Sequence, residues 1–293
     1  MKYIVQNKNE VILKLDGRMA NQMFEWAFAR AFEAKNGILP LIDNSKETLK
    51  LNHFAMFKEL KAIKQPFWNK FLRKVIIFRN LRNRITELKF DIPTYSEPDD
   101  FDENMFNIKA PAYIKGYFQN EKYFNDVREI LIKDFKLTAK LNRANKKMLE
   151  MIKNTESVAV HFRRGDYTKK RVADYFGACS VEYYQKAVKT VADKLDKKPT
   201  LFIFSDDINW VRQNVNFDYE TVYVDINSGK KGFFDMELMK NCRHNIIANS
   251  SFSWMSAWLN ENPDKIVVAP TPWTNDGTKN REIVPENWIK LEK

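Results

Sequence analysis

The sequence predicts an α/β fold with a parallel, doubly wound sheet in its C-terminal half. Two observations carry this expectation. From Ser157 onward, five short apolar runs (SVAVHF, TLFIFS, ETVYVD, NIIAN and KIVVAP) alternate with helical patterns. That alternation favours parallel strands joined by helical crossovers. The chain also opens on a βαβ pattern, EVILKL, MFEWAFARAFEAKNG and ILPLI. With 293 residues it has room for two domains of ordinary size, expected at residues 1–150 and 151–293.

In the N-terminal half, EVILKL is a β-rich run and DGRMANQ a turn containing glycine. The following helix places Met23, Phe24, Ala27, Phe28, Ala31 and Phe32 on one face and is expected to stop at Gly37. From Asn44 to Phe106 the periodicity is weak. Within it, Phe67 to Ile85 carries Lys70, Arg73, Lys74, Arg79, Arg82 and Arg84 among Trp68, Phe71, Leu72, Ile76, Ile77 and Phe78. Residues 67–85 read either as a peripheral contact with an anionic membrane surface or as an amphipathic helix packed on the N-terminal half. The acidic loop SEPDDFDEN follows, and AYIKGYFQNEKYF gives a strand, a glycine turn and a helix. The polar helical stretch from Thr138 to Thr155 reads as a connector between the halves. Farther on, Ser180 is a good N-cap for a helix with Val181, Tyr184, Val188, Val191 and Leu195 at three- and four-residue spacing.

Composition bounds the function. Hydrophobic residues make up 44% and charged residues 30%, which suits a soluble globular chain. No apolar run is long enough to cross a bilayer, and MKYIVQNKNEVILKL lacks the apolar region and cleavage site of a secretory signal. Cys179 and Cys242 form neither a disulfide framework nor a metal-ligand spacing. A cytoplasmic location is therefore expected, at the inner face of the membrane if residues 67–85 bind it. The net charge of +11 suits a phosphorylated ligand, a nucleic acid or an anionic membrane, and does not choose among them. NSGKKG lacks the upstream glycine of a P-loop, and the absence of G-x-G-x-x-G speaks against a nicotinamide cofactor. Gly-x-Ser-x-Gly is missing as well. Asp100-Phe101-Asp102 matches the D-x-D of metal-dependent sugar transferases, but it sits in the acidic loop and reads as a solvated turn. With only His53, His161 and His244 and no Cys/His cluster, no metal is expected.

In doubly wound sheets, ligands bind beyond the carboxyl ends of the strands. After the first C-terminal-half strand comes His161-Phe162-Arg163-Arg164-Gly165-Asp166-Tyr167. After the second comes Ser205-Asp206-Asp207, and after the fourth Asn249-Ser250-Ser251-Phe252-Ser253 opens a helix. Taken singly, each cluster reads as caps, surface charges or a satisfied core histidine. Three of them at equivalent strand ends point to a ligand. Arginine offers a planar fork to phosphate oxygens, a helix N-terminus suits an anion, and aspartates accept from sugar hydroxyls or a base edge. Together they suit a nucleoside diphosphate with something attached. A rival class, a basic nucleic-acid-binding protein, does not require three polar clusters at one edge.

HFRRGDY resembles the H-x-R-R-G-D-Y signature of the α-1,2-fucosyltransferases, glycosyltransferase family 11. GRMANQMFEWAFAR, YIKGYFQNEKYF, FIFSDDINW and MKNCRHNIIANSSFSWMSAWLN resemble further segments of that family, in the family's order. The N-terminal segment departs from the family pattern at Arg18, Ala20, Glu25 and Trp26. The resemblance implies a GT-B-like architecture of two Rossmann-like halves, with the N-terminal half on the acceptor side and the C-terminal half binding GDP-β-L-fucose. It implies inverting transfer of fucose, with no cofactor and no metal, to the 2-hydroxyl of a terminal galactose on an oligosaccharide or a lipid-linked glycan. Arg164 is the first candidate for stabilising the departing diphosphate, supported by Arg163, His161 and the N–H groups of Ser250 to Phe252. Guanine and ribose are expected near Ser205, Asp206 and Asp207. Asn21 and Gln22 read either as sugar contacts or as helix-capping residues. The base that takes the acceptor's proton stays open among Asp166, Glu25 and Asp16.

Overall fold

The computed structural model describes residues 2–3, 9–63, 89–227, 229–277 and 282–293; the basic segment 67–85 lies outside them. The chain divides into two compact units, Met1–Thr138 and Ala139–Lys293.

The first unit contains strands β1 (Lys2–Tyr3) and β2 (Val11–Lys14), helix α1 (Met19–Asn36), and strands β3 (Leu41–Asp43), β4 (Lys89–Phe90), β5 (Thr94–Ser96) and β6 (Ala112–Lys115). Helix α2 (Arg128–Asp134) follows. A four-stranded sheet runs in the order β3-β2-β6-β5, all parallel, and β1 pairs with β4. Helix α1 begins at Met19, earlier than its apolar periodicity implied, so the preceding turn shrinks to Asp16–Arg18. Its predicted face is buried, and so are Trp26 and Ala29. Phe28 lies flat on Phe118, with centroids 3.8 Å apart. Burying a side chain of that size contributes roughly 1.5–3 kcal/mol. The helix ends where the sequence said it would, with Gly37 at φ 69° closing an N–H bond to Glu33 O.

The second unit contains helix α3 (Arg143–Lys153), strand β7 (Ser157–Phe162), helices α4 (Lys170–Tyr175) and α5 (Val181–Ala192), strand β8 (Thr200–Ser205), helix α6 (Ile208–Asn214) and strand β9 (Glu220–Tyr223). Helix α7 (Gly232–Lys240), strand β10 (His244–Ile246), helix α8 (Ser251–Trp258) and strands β11 (Val267–Thr271) and β12 (Ile289–Glu292) complete it. Helix α3 is not a connector: Ile152 is fully buried against Ala159, Phe202, Leu238 and Met239, so the division falls after Thr138. Ser180 caps α5 as expected, its Oγ accepting Tyr183 N–H at 3.1 Å.

The five apolar runs each form a strand, and Ile289–Glu292 adds a sixth. The order is β12-β11-β10-β7-β8-β9, and every pairing is parallel. The chain winds outward from β7 to β9, then restarts on the other side at β10. The order therefore reverses between β7 and β10, and at such a switch point a crevice opens beyond the strand ends. All six residues of β7 are buried, as a strand covered on both faces requires. Val158, Val160 and Phe162 pack toward α5, while Ala159 points to the other face, under α7. The pleat sends His161 to that same second face.

Candidate active site

His161 is 5% exposed, and its Nδ1 lies 2.9 Å from Ser253 Oγ in the first turn of α8. Burial pushes its imidazole down to about 4; Arg163 adds to this and Asp206 opposes it. The ring is therefore neutral at neutral pH. It links the two sides of the switch point, since β7 carries the histidine and helix α8, which follows β10, carries the serine.

The two arginines that follow are held differently. Arg163 pairs with Asp166 and, through Nη1, with Asp206 Oδ2 at 2.6 Å. Its guanidinium also lies 5.4 Å from the Tyr167 ring centroid. Arg164 lies over the Trp210 ring of α6, and its Nε is 3.5 Å from Asp207 Oδ2. That separation lacks hydrogen-bond geometry, so Arg164 Nε is buried without a hydrogen-bond partner. A buried N–H left unpaired costs about 1–3 kcal/mol. Arg163 is held through both Nη1 and Nη2 by protein carboxylates, whereas Arg164 Nε has no hydrogen-bond partner, at a side chain only 19% exposed.

Asp206 organises this loop. Its Oδ1 accepts the N–H groups of Arg164 at 2.8 Å and Gly165 at 3.1 Å, and its Oδ2 takes Arg163. The carboxylate expected to meet a ribose or a base is thus occupied in shaping the arginine loop. The Asp207 side chain is 42% exposed, and its backbone N–H donates to Ser205 Oγ at 2.9 Å.

On the β10 side, Asn249 is fully buried. Its side-chain amide donates to the carbonyls of Phe176, Gly177 and Trp273, and its backbone carbonyl accepts from Tyr167 O–H at 3.0 Å. Asn249 is therefore a strut between loops. Ser250 occupies the N-cap position of α8 with extended backbone and no side-chain cap. The N–H groups of a first helical turn, here from Ser251 through Ser253, have no intrahelical acceptor. Phe252 lies 5.6 Å from His161, ring to ring. Tyr167 and Trp210 were not singled out by sequence reasoning, though both stand inside the quoted segments HFRRGDY and FIFSDDINW.

The remaining predicted residues belong to the first unit. Gln22 is fully buried and its amide is consumed by the backbone, donating to Thr48 O at 3.0 Å and accepting Lys50 N–H at 2.8 Å. Asn21 accepts from Gln119 Nε2 at 3.0 Å. Glu25 is 1% exposed; burial raises its carboxyl well above the usual range, and both its oxygens lie 3.0 Å from Asp16 N. Asp16 in turn faces Lys14 and Lys46 at 3.5 and 3.3 Å. Asp102 of the D-x-D caps a 3-10 turn by accepting Asn104 N–H. Among the described residues, no group of three or more His, Cys, Asp or Glu side chains is arranged to hold a metal ion, and no helix is long and apolar enough to cross a membrane.

One residue of the acidic loop SEPDDFDEN was not singled out in the sequence. Glu97 follows the short strand β5 in the weakly patterned middle, and its Oε2 accepts the N–H groups of Tyr117 at 2.7 Å and Phe118 at 2.8 Å. Burial raises its carboxyl to about 7.

The family model of glycosyl transferase family 11 matches residues 1–292. The chain is 32% identical over 299 residues to an alpha-1,2-colitosyltransferase of Escherichia coli, covering 97% of this chain and 99% of that protein. It is 30% identical over 304 residues to the O-antigen biosynthesis glycosyltransferase WbnK of Escherichia coli, covering 94% and 99%. The solved structure of POFUT1 in complex with GDP aligns with a TM-score of 0.50 at 11% identity, over 90% of this chain and 99% of that one. At that identity the likeness concerns the fold alone, GT-B-like with two Rossmann-like units. By the family match over nearly its whole length, and by both bacterial relatives, the chain belongs to glycosyl transferase family 11.

Proposed function

We propose that this glycosyltransferase moves L-fucose from GDP-β-L-fucose to the 2-hydroxyl of a terminal galactose in a surface polysaccharide or O-antigen. The transfer proceeds by one inverting displacement and needs no metal ion. The observation that carries this reading is the contrast between Arg163, paired with two aspartates, and Arg164, whose Nε has no hydrogen-bond partner, at the switch point of a parallel sheet. Breaking the sugar–phosphate bond builds negative charge on the diphosphate, and a fixed donor aimed at that charge lowers the barrier. The first turn of α8 supplies further N–H groups and the positive end of a helix dipole. Neutral His161 holds Ser253 of that turn in place. Ser205 and Asp207 take the nucleoside end, and Asp206 keeps the loop in shape.

The GDP bound to POFUT1 supports a GDP-linked donor. The alpha-1,2-colitosyltransferase relative supports a deoxysugar, and the linkage in its name supports the 2-hydroxyl. That relative also favours a second donor: colitose is L-fucose without its 3-hydroxyl, and the same phosphate contacts serve both. The test supplies GDP-fucose and GDP-colitose with lactose, N-acetyllactosamine and the type 1 and type 3 disaccharides, and determines the linkage by NMR. An α-1,2-fucoside on galactose is expected. A product substituted at the 3-, 4- or 6-hydroxyl would refute the acceptor assignment, and faster transfer from GDP-colitose would replace the donor.

A further inference from the structure

The segment after β8 holds the backbone and the side chain of Arg164 by separate means, and every group involved belongs to the second unit. Asp206 takes the Arg164 N–H at 2.8 Å, and the Arg164 carbonyl accepts Thr168 N–H at 3.0 Å. The backbone at this position is therefore tied on both sides. The side chain is held by the first turn of α6. Asp207 is the N-cap of that helix and Trp210 stands three residues on, a spacing that brings side chains to one side of a turn. Both face Arg164. Asp207 Oδ2 lies 3.5 Å from its Nε, and the Trp210 ring centroid lies 3.2 Å from its Cζ.

At 3.2 Å the guanidinium carbon is in contact with the indole and lies directly over it. A guanidinium tilted steeply at that distance would drive a nitrogen into the ring, so its plane runs along the ring face. The N–H bonds of a guanidinium lie in its own plane. The ring therefore covers one face of Arg164 and directs its donors sideways, past the edge of the indole. Trp210 is itself seated. It packs partly buried against the core of the second unit, on a helix anchored by fully buried Val211. Arg163 has no comparable platform: its Cζ stands 5.4 Å from the Tyr167 centroid, and carboxylates hold its Nη1 and Nη2.

We infer that Trp210 is a positioning residue for transfer, holding the plane of the Arg164 guanidinium in which its donors meet the diphosphate. This rests on the transferase reading given above. A long arginine side chain samples many rotamers in water, and ordering it costs free energy. A ring fixed to the core orders it already in the free enzyme, so its donors need not reorganise as the charge develops. A cation over an indole face is attracted to it, more strongly where water is excluded, and the Arg164 side chain is largely buried. A carboxylate would restrain the arginine differently. The two that hold Arg163 also neutralise it and take N–H groups that a phosphate would need. The indole restrains Arg164 without taking an N–H.

Trp210→Leu keeps an apolar side chain against the core and removes the aromatic face. Turnover should fall by roughly 10- to 100-fold, with the donor KM changed only a few-fold and the GDP-induced thermal shift intact. Trp210→Phe keeps a ring and should restore most of the turnover. The decisive comparison places Trp210→Leu on the Arg164→Ala background, with product accumulated over long incubations so that slow variants are measured. A residue that acts through Arg164 has nothing left to position there, so the double variant should be no slower than Arg164→Ala alone. A Trp210→Leu enzyme above half the wild-type kcat would overturn the inference, and so would a Trp210→Leu loss that repeats in full on the Arg164→Ala background. Trp210→Phe as slow as Trp210→Leu would overturn the role of the ring. Each of these results leaves the transferase reading standing. Wild-type protein that binds GDP but transfers no sugar would overturn that reading, and this inference with it.

Discussion

The Asp206 carboxylate and Gly165 are fitted to each other. Oδ1 accepts Gly165 N–H at 3.1 Å, and a Cβ added at position 165 would stand 2.5 Å from Oδ2. The approach that lets Asp206 hold the arginine loop therefore excludes any side chain at 165. Gly165→Ala should displace the loop and lower turnover by at least about tenfold, on the order of 1.4 kcal/mol in the barrier. Far-ultraviolet circular dichroism should stay unchanged. Full activity in this variant would show that the loop tolerates the shift.

Arg164→Ala should abolish transfer while the fold stays intact. Removing a single donor aimed at developing negative charge costs roughly 100- to 1,000-fold. Arg164→Lys should not rescue it, because a lysine keeps the charge but not the planar group lying over Trp210. Steady-state kinetics beside circular dichroism decide this, and an Arg164→Ala enzyme above half the wild-type rate would make the residue structural.

GDP should stabilise the protein. At 100 times its dissociation constant, a ligand that binds only the folded state adds about 2.7 kcal/mol. Thermal shift against a panel of nucleotides reads this directly. A clear shift with another nucleotide and none with millimolar GDP would reassign the donor.

His161 should make stability depend on pH. Its folded value, about 4, lies below the ordinary 6.5. Between those values the unfolded chain binds more protons, so the contribution is full above 6.5 and is lost as pH falls toward 4. The loss is at most about 3 kcal/mol. Glu97 has the opposite sign: a raised carboxyl weakens the fold as pH rises from 4.5 through about 7. Wild type should therefore be compared with His161→Gln by urea denaturation, a pairing that cancels the Glu97 contribution. The stability gap between the two should narrow from pH 7 to pH 4, and a constant gap would mean the imidazole is not held neutral.

Transfer should survive chelation, because the arginine and the helix terminus provide the charge that a metal would otherwise supply. Activity lost in EDTA and restored by manganese or magnesium would contradict this and return attention to Asp100 and Asp102.

The sequence by itself determined whatever depends on local chemistry and on strand order. Five of the six second-unit strands were legible: inner strands such as β7 and β8, covered on both faces, read as nearly unbroken apolar runs, and the edge strand β9 reads through the β-branched and aromatic residues of ETVY. The sixth, Ile289–Glu292, lies at the sheet edge, alternates apolar and charged residues over only four positions, and stayed hidden. Ser180 and Gly37 announced their caps because capping is a property of one turn. The clustering of His161, Arg163, Arg164 and the α8 terminus followed from strand ends alone.

Tertiary structure decided which of these residues is spent and which remains available. Arg163 and Arg164 are neighbours of identical type, and only the positions of Asp206 on one side and Trp210 on the other separate their roles. The side-chain amides of Asn249 and Gln22, two candidates from the sequence, meet backbone carbonyls from distant segments, which no local pattern announces. Helix α3 looked like a polar connector because few of its residues turn inward, Asn145 and Ile152 being buried and Met148 and Leu149 packing partly against the same core. Glu97 did not stand out from the other carboxylates of the acidic loop SEPDDFDEN, since it acquires its character from a turn 20 residues later in the chain. Partner choice in a folded chain is set by proximity in space, and sequence spacing encodes that only within a turn or along one strand.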